Sequence, residues 1–188
     1  MRKLALSDEI LLTIDKPARY IGGEVNSVMK DKAEVDVRFC MCFPDVYEIG
    51  MSHLGMKILY SLMNEMEGVW CERAFAPLPD MEENMKREGV GGFCLESLDE
   101  LKEFDIIGFT LQYELSFSNV LNMLELSGIP VYASERGDEL FNIVCAVCWF
   151  PFANVLVKLA TLTIRDKESD TKEERNEFAL LDERFLDQ

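Results

Sequence analysis

The stretch "AEVDVRFCMCFPDVYEIGMSHLG", residues 33–55, first alternates polar and apolar side chains and then becomes continuously apolar up to Phe43. Alternation marks a strand with one buried face, and an unbroken apolar run marks a strand entering a core. Pro44 ends the run, because proline has no N–H for a ladder. A loop follows with Gly50, Ser52, His53 and Gly55, and then Leu54, Ile58, Leu59 and Leu62 recur at helical spacing. The reading is strand, loop, helix.

The same alternation continues outward. Residues 1–14 predict a short helix, with "SDE" as its start before "ILL", and "KPARYIGGE" breaks it at Pro17, Gly22 and Gly23. "GVWCERAFAP" predicts a second strand, and "DMEENMKREG" a helix from Asp80 to Gly89. "SLDELKEF" predicts a helix with Ser97 and Glu100 as a capping box. "DIIGFTL" (105–111) is a buried-type strand, "ELSFSNVLNMLELSG" a helix stopped by Gly128, and "IPVYAS" a further strand. This order predicts an α/β fold: a Rossmann-like parallel sheet with flanking helices, incomplete at the C-terminal end. Ligands of such sheets sit outside the carboxyl ends of the strands. That rule selects "FPDVYEIGMSHLG" and "TLQYELSFSN", which should lie along one edge of the sheet.

The chain has 188 residues and a net charge of −16, from 35 acids against 19 bases. Such acidity argues against unaided nucleic-acid binding, where attraction to phosphate supplies most of the affinity. The six cysteines, Cys40, Cys42, Cys71, Cys94, Cys145 and Cys148, follow an N-terminus with no apolar signal core. The expectation is a cytoplasmic protein with free thiols.

The single histidine, His53, lacks the partners of a metal site: the cysteines are scattered, and no C-x₂-C pair repeats. No metal site is expected. Its structural reading places it in the first turn of a helix capped by Ser52, with Gly50 and Gly55 allowing close backbone approach. "CAVC" (145–148) has thioredoxin spacing, but its apolar surroundings would raise a thiol pKa, which makes redox work the weaker reading. Cys40 and Cys42 share one strand face as buried thiols. Gln112, Tyr113, Glu114, Ser116 and Asn119 either line a pocket or form a cap and a solvated turn. Gly22 and Gly23 are too few for a phosphate loop.

Three strings taken together carry a resemblance: "PARYIGGEVNSV", "FPDVYEIGMSHLGMKILYSLMN" and "DIIGFTLQYELSFSNVLNMLELSGIPV". With "CERAFAPLPDME" between them, residues 15–136 resemble the N-terminal region of cobalamin-binding-like radical SAM proteins. The resemblance implies a Rossmann-like domain ahead of a radical SAM barrel in the same chain. In full-length relatives that barrel is expected to hold an iron–sulfur cluster on C-x₃-C-x₂-C and to cleave S-adenosylmethionine. Cobalamin is the expected helper if a corrin is bound at all. The matching loops "EIGMSHLG" and "GFTLQYELS" would face it through Gly50, Ser52, His53, Gly55, Thr110 and Gln112. The cobalt-ligating Asp-x-His-x-x-Gly is not met, since Met51 and Met56 stand in its Asp and Gly places.

After "SERGDE" the resemblance implies a strand ending in a Gly-Gly pair, then the barrel, but no Gly-Gly pair follows and no C-x₃-C-x₂-C occurs. The chain therefore divides into a helix at 1–14, a Rossmann-like domain at 15–139 and a divergent tail at 140–188, read as a truncated or frameshifted ending. Residues 140–157 carry no charge, which reaches the lower limit for a membrane span. Pro151, Asn142 and Asn154 favour instead a buried strand and helix, or a poorly folded end. The functional expectation is a binding domain with no catalytic residues of its own. The alternative is a stand-alone acidic interaction domain that holds a protein partner.

Overall fold

The computed structural model describes Leu6, residues 8–132, Glu135 and the backbone of residues 142–147. Four parallel strands form one sheet in the order β2-β1-β3-β4. They are β1 (Val37–Phe43), β2 (Val69–Phe75), β3 (Ile106–Leu111) and β4 (Asn142–Val147). The helices are α1 (Asp8–Thr13), α2 (Tyr47–Ser52), α3 (Leu54–Glu65), α4 (Pro79–Glu88) and α5 (Ser116–Leu126). This is an α/β Rossmann-like fold, as the strand and helix patterns predict.

The apolar run of β1 is explained by its central position. Val37, Phe39, Met41 and Phe43 pack with Met56, Tyr60 and Met63 of α3 on one face. Cys40 and Cys42 pack with Phe104, Val120, Met123 and Leu124 on the other, under α5. A third apolar layer joins Leu6, Ile10, Ile14 and Tyr20 to Met81 and Met85 of α4. Gly108 of β3 pairs with Met41 in the sheet but lies against the Phe39 ring, and a Cβ there would lie 2.5 Å from that ring. Only glycine leaves room for that ring.

β2 is an edge strand, and an open edge invites pairing with other chains. Here the segment after α4 covers it. The Leu95 N–H donates to the Arg73 carbonyl at 2.8 Å, and the Arg73 N–H donates to Glu96 Oε2 at 2.7 Å. Behind it, the fully buried Glu72 accepts from Arg38 Nη2 at 2.6 Å and from the Ser97 N–H at 2.9 Å. The Arg38 guanidinium lies over the Phe104 and Trp70 rings, 4.2 and 5.3 Å from their centroids, and also bonds Asp99 at 2.7 Å.

Four sequence expectations need correction. The helix predicted over "SLDELKEF" shrinks to a single 3-10 turn, Leu101–Glu103. Glu96 and Asp99 are drawn to Arg73 and Arg38, and Leu98 adopts φ 62, which a helix does not allow. The strand predicted over "IPVYAS" is absent at 129–132, and the fourth strand is 142–147 instead. Pro130 comes just after the Ser127–Gly128 helix stop and offers no N–H to a ladder. That fourth strand lies past residue 139, in the stretch weighed as a membrane span; the rest of the stretch is outside the described residues. Among the described residues no helix is long and apolar enough to cross a membrane. The loop after β1 contains a short helix, α2, that its glycine and proline content concealed. Finally, Ser52 does not cap the next helix; His53 does. As predicted, Gly89 and Gly128 close α4 and α5 in the left-handed region, at φ 66 and φ 65.

Candidate functional site

The strand order fixes where a ligand crevice can lie. The chain runs from β1 outward to β2, then crosses back over β1 to β3. The switch point is therefore between β1 and β3, at the ends carrying Phe43 and Leu111. Both loops selected from the sequence rise from those two ends and touch. The Tyr113 hydroxyl donates to Asp45 Oδ2 at 2.7 Å, and Asn119 Nδ2 donates to the Pro44 carbonyl at 2.8 Å. Asp45 Oδ1 also accepts from the Val46 N–H at 2.7 Å, at the entry to α2. The bond to Asp45 pushes the Tyr113 phenol above its ordinary range.

His53 sits between α2 and α3. Its Nδ1 accepts from the Met56 N–H at 3.2 Å, so the imidazole is the N-cap of α3. An accepting Nδ1 leaves the ring proton on Nε2, so the neutral ring offers no Nε2 lone pair to a metal. The ring also leans on Phe43, with centroids 5.4 Å apart. Ser52 Oγ donates back to the Ile49 carbonyl at 2.9 Å.

The two glycines serve packing. A Cβ on Gly50 would lie 2.3 Å from the Phe75 ring and 3.0 Å from Phe43. A Cβ on Gly55 would meet the His53 ring at 3.1 Å. The room that glycine makes is already taken by protein side chains. Thr110, at the carboxyl end of β3, is only 4% exposed, and its Oγ1 has no hydrogen-bond partner among the described residues. A buried hydroxyl without a partner is costly, so it is the one sequence-selected group left waiting for an acceptor or donor. Gln112 is exposed beside it. Against the chemistry of a planar tetrapyrrole, Thr110 and Gln112 are residues able to hydrogen-bond one, but Gly50 and Gly55 leave no clearance.

Tyr113 and Asn119, which the sequence offers as pocket residues or as a capped, solvated turn, act as ties between the two segments. Asp45 was missed; an acid directly after the strand-ending Pro44 was the available signal. Arg19 and Tyr47 were missed as well. Arg19 reaches Glu48 of α2 through Nε at 2.8 Å and Nη2 at 2.5 Å. Tyr47 packs edge-on against Phe75, and burial, with a bond to Glu24, pushes its phenol up to about 12.

The thiols are buried and free at Cys40, Cys42, Cys71 and Cys94, and the sulfurs of Cys40 and Cys42 are 3.6 Å apart. Burial raises all four. Cys145 lies within β4, in register with Phe109, and Cys148 is outside the described residues. No group of three or more metal-binding side chains occurs among the described residues.

A family model described as the N-terminal region of radical SAM proteins matches residues 55–172. The match continues past residue 140, through β4 and beyond. Neither a curated protein nor a solved structure matches the chain.

Proposed function

The chain belongs to the family of radical SAM protein N-terminal regions, and from that premise we propose that it is a binding module, cobalamin-binding-like and not catalytic by itself. In full-length relatives, S-adenosylmethionine and the iron–sulfur cluster belong to the barrel that follows such a module. The barrel is then the natural partner of the rim formed by the loops after β1 and β3. The observation that carries this reading lies at the switch point, where the two tied loops meet beside a buried Thr110 hydroxyl that has no hydrogen-bond partner among the described residues. Thr110 and Gln112 would bond the periphery of a flat ligand, with Ser52 and His53 beside it. Since the glycine clearances are filled by Phe75 and His53, binding of a corrin by this chain is weak.

The test is an absorbance titration of hydroxocobalamin with the protein. The expected result is a spectral change that needs protein well above micromolar concentration and is weakened further in Thr110→Val. No spectral change at any concentration sinks the corrin reading. A submicromolar dissociation constant overturns the weak-site argument.

A second reading, a stand-alone acidic interaction domain, draws on exposed apolar residues beside this rim. Leu115 is 78% exposed and Phe117 55% exposed. A monodisperse monomer that gains no partner when mixed with a separately expressed barrel would favour neither association.

A further inference from the structure

A cavity of about 30 Å³ opens at the carboxyl end of β2, one strand away from the switch point. One small group fits there, since a single water needs roughly 10–15 Å³. Its walls are mostly apolar, with Phe75, Leu78, Phe93 and Leu101 among them, and Arg19 and Tyr47 add polar groups. Arg19 brings an unmet demand. Its Nε and Nη2 are taken by Glu48, while Nη1 is buried and has no hydrogen-bond partner among the described residues. A pocket with apolar walls and a few convergent polar groups is the usual form of a small-molecule site.

We propose that this cavity binds a small neutral carbonyl group, an amide or acyl oxygen on a short apolar body, through Arg19 Nη1. The chemistry follows from what is left over. Nη1 carries only donors, so the ligand atom must be an acceptor. The Arg19 charge is already matched by Glu48 at 2.5 Å, and the whole chain is at −16, so an added anion would meet repulsion rather than a free cation. The apolar walls favour a methyl or methylene next to the oxygen. The site is separate from the switch point at Thr110 and does not rest on the corrin reading. A free small amide and an amide arm of a larger ligand share this chemistry, and the experiment separates them.

The test is an NMR titration of the full chain with acetamide, following the Arg19 side-chain Nε–H and the amides of Ala76 and Phe93. Acetamide should shift all three saturably. Ala76→Leu, which fills the cavity from a half-buried position, should abolish all three shifts, and Arg19→Met, which removes the donor together with its own Nε–H signal, should abolish those of Ala76 and Phe93, while the other amide signals stay in place. Sodium acetate should give at least tenfold weaker binding. A second arm adds cobinamide, which bears amide arms: displacement of acetamide identifies an arm of a larger ligand as the occupant, and no displacement identifies a free small molecule. Both results require the site. The proposal is overturned by the absence of saturable shifts, by shifts that persist in both variants, or by acetate binding as well as acetamide does.

Discussion

The Tyr113 hydroxyl donates to Asp45 Oδ2 at 2.7 Å, and this bond joins the loop after β3 to the loop after β1 beside the Asn119–Pro44 tie. Both loops leave the sheet on either side of its switch point, so the bond spans that point. Tyr113→Phe should leave the far-UV circular dichroism unchanged and speed amide exchange at Val46 and Glu114. The same bond favours the neutral phenol, so its pKa is raised in the folded state. That contribution is complete below the ordinary tyrosine range and is lost as pH rises through the raised value. Asp45→Asn should shift the Tyr113 titration back down, read by absorbance near 295 nm. An unchanged titration would mean that the tie is not formed in solution.

His53 holds the start of α3 through Met56. His53→Ala should cost about 1 kcal/mol, the usual loss for an N-cap, in a urea unfolding curve. His53→Ser should recover most of it, because a serine oxygen can accept from the same first-turn amides. A serine variant as unstable as the alanine one would point to the ring contact with Phe43 instead.

Gly50 makes room for Phe75. Gly50→Ala should destabilise by about 1–3 kcal/mol, the range for overpacking a tight core. Phe75→Leu placed in the same chain should relieve part of that loss. Additive losses in the double variant would show that the two residues do not share the space.

Asp99 works against its own burial. Desolvation raises its pKa, but Lys32 and Arg38 more than offset this and hold the carboxylate below its ordinary value. A depressed pKa stabilises the fold above the unfolded value and loses that contribution as pH falls through the folded one. Between pH 5 and 2 the wild-type urea midpoint should therefore fall more steeply than that of Asp99→Asn. Parallel slopes would remove Asp99 from the account of acid sensitivity.

Cys40, Cys42, Cys71 and Cys94 are fully buried, and burial raises their thiols. Brief alkylation at pH 8 followed by peptide mass spectrometry should leave all four unmodified, and denaturant should expose them together. Native labelling of Cys40 or Cys42 would contradict the packing between β1 and α5.

The strand patterns of β1, β2 and β3 and the helical spacing of α3 and α5 were legible in the sequence because they are local: a period of two or 3.6 is written in neighbouring residues. So was the placement of both loops on one rim, which follows from parallel order alone. The site was less legible. Thr110 could be named as a strand-end hydroxyl, but not that it would have no partner among the described residues. Gly50 and Gly55 could be named as small, but not that Phe75 and His53 would occupy the space beside them.

By itself, then, the sequence determined the alternation of strands and helices, the parallel sheet and the chain positions of the two facing loops. Only the tertiary structure decided the strand at 142–147, the loss of the helix over 97–104, the cap on α3 and the ties between the two loops. The physical reason is distance along the chain. Glu96 is held by Arg73, 23 residues away, Asp99 by Arg38, 61 residues away, and Asp45 by Tyr113, 68 residues away. Charge pairs and close packing between such residues override local preference, and no short window of sequence contains both partners.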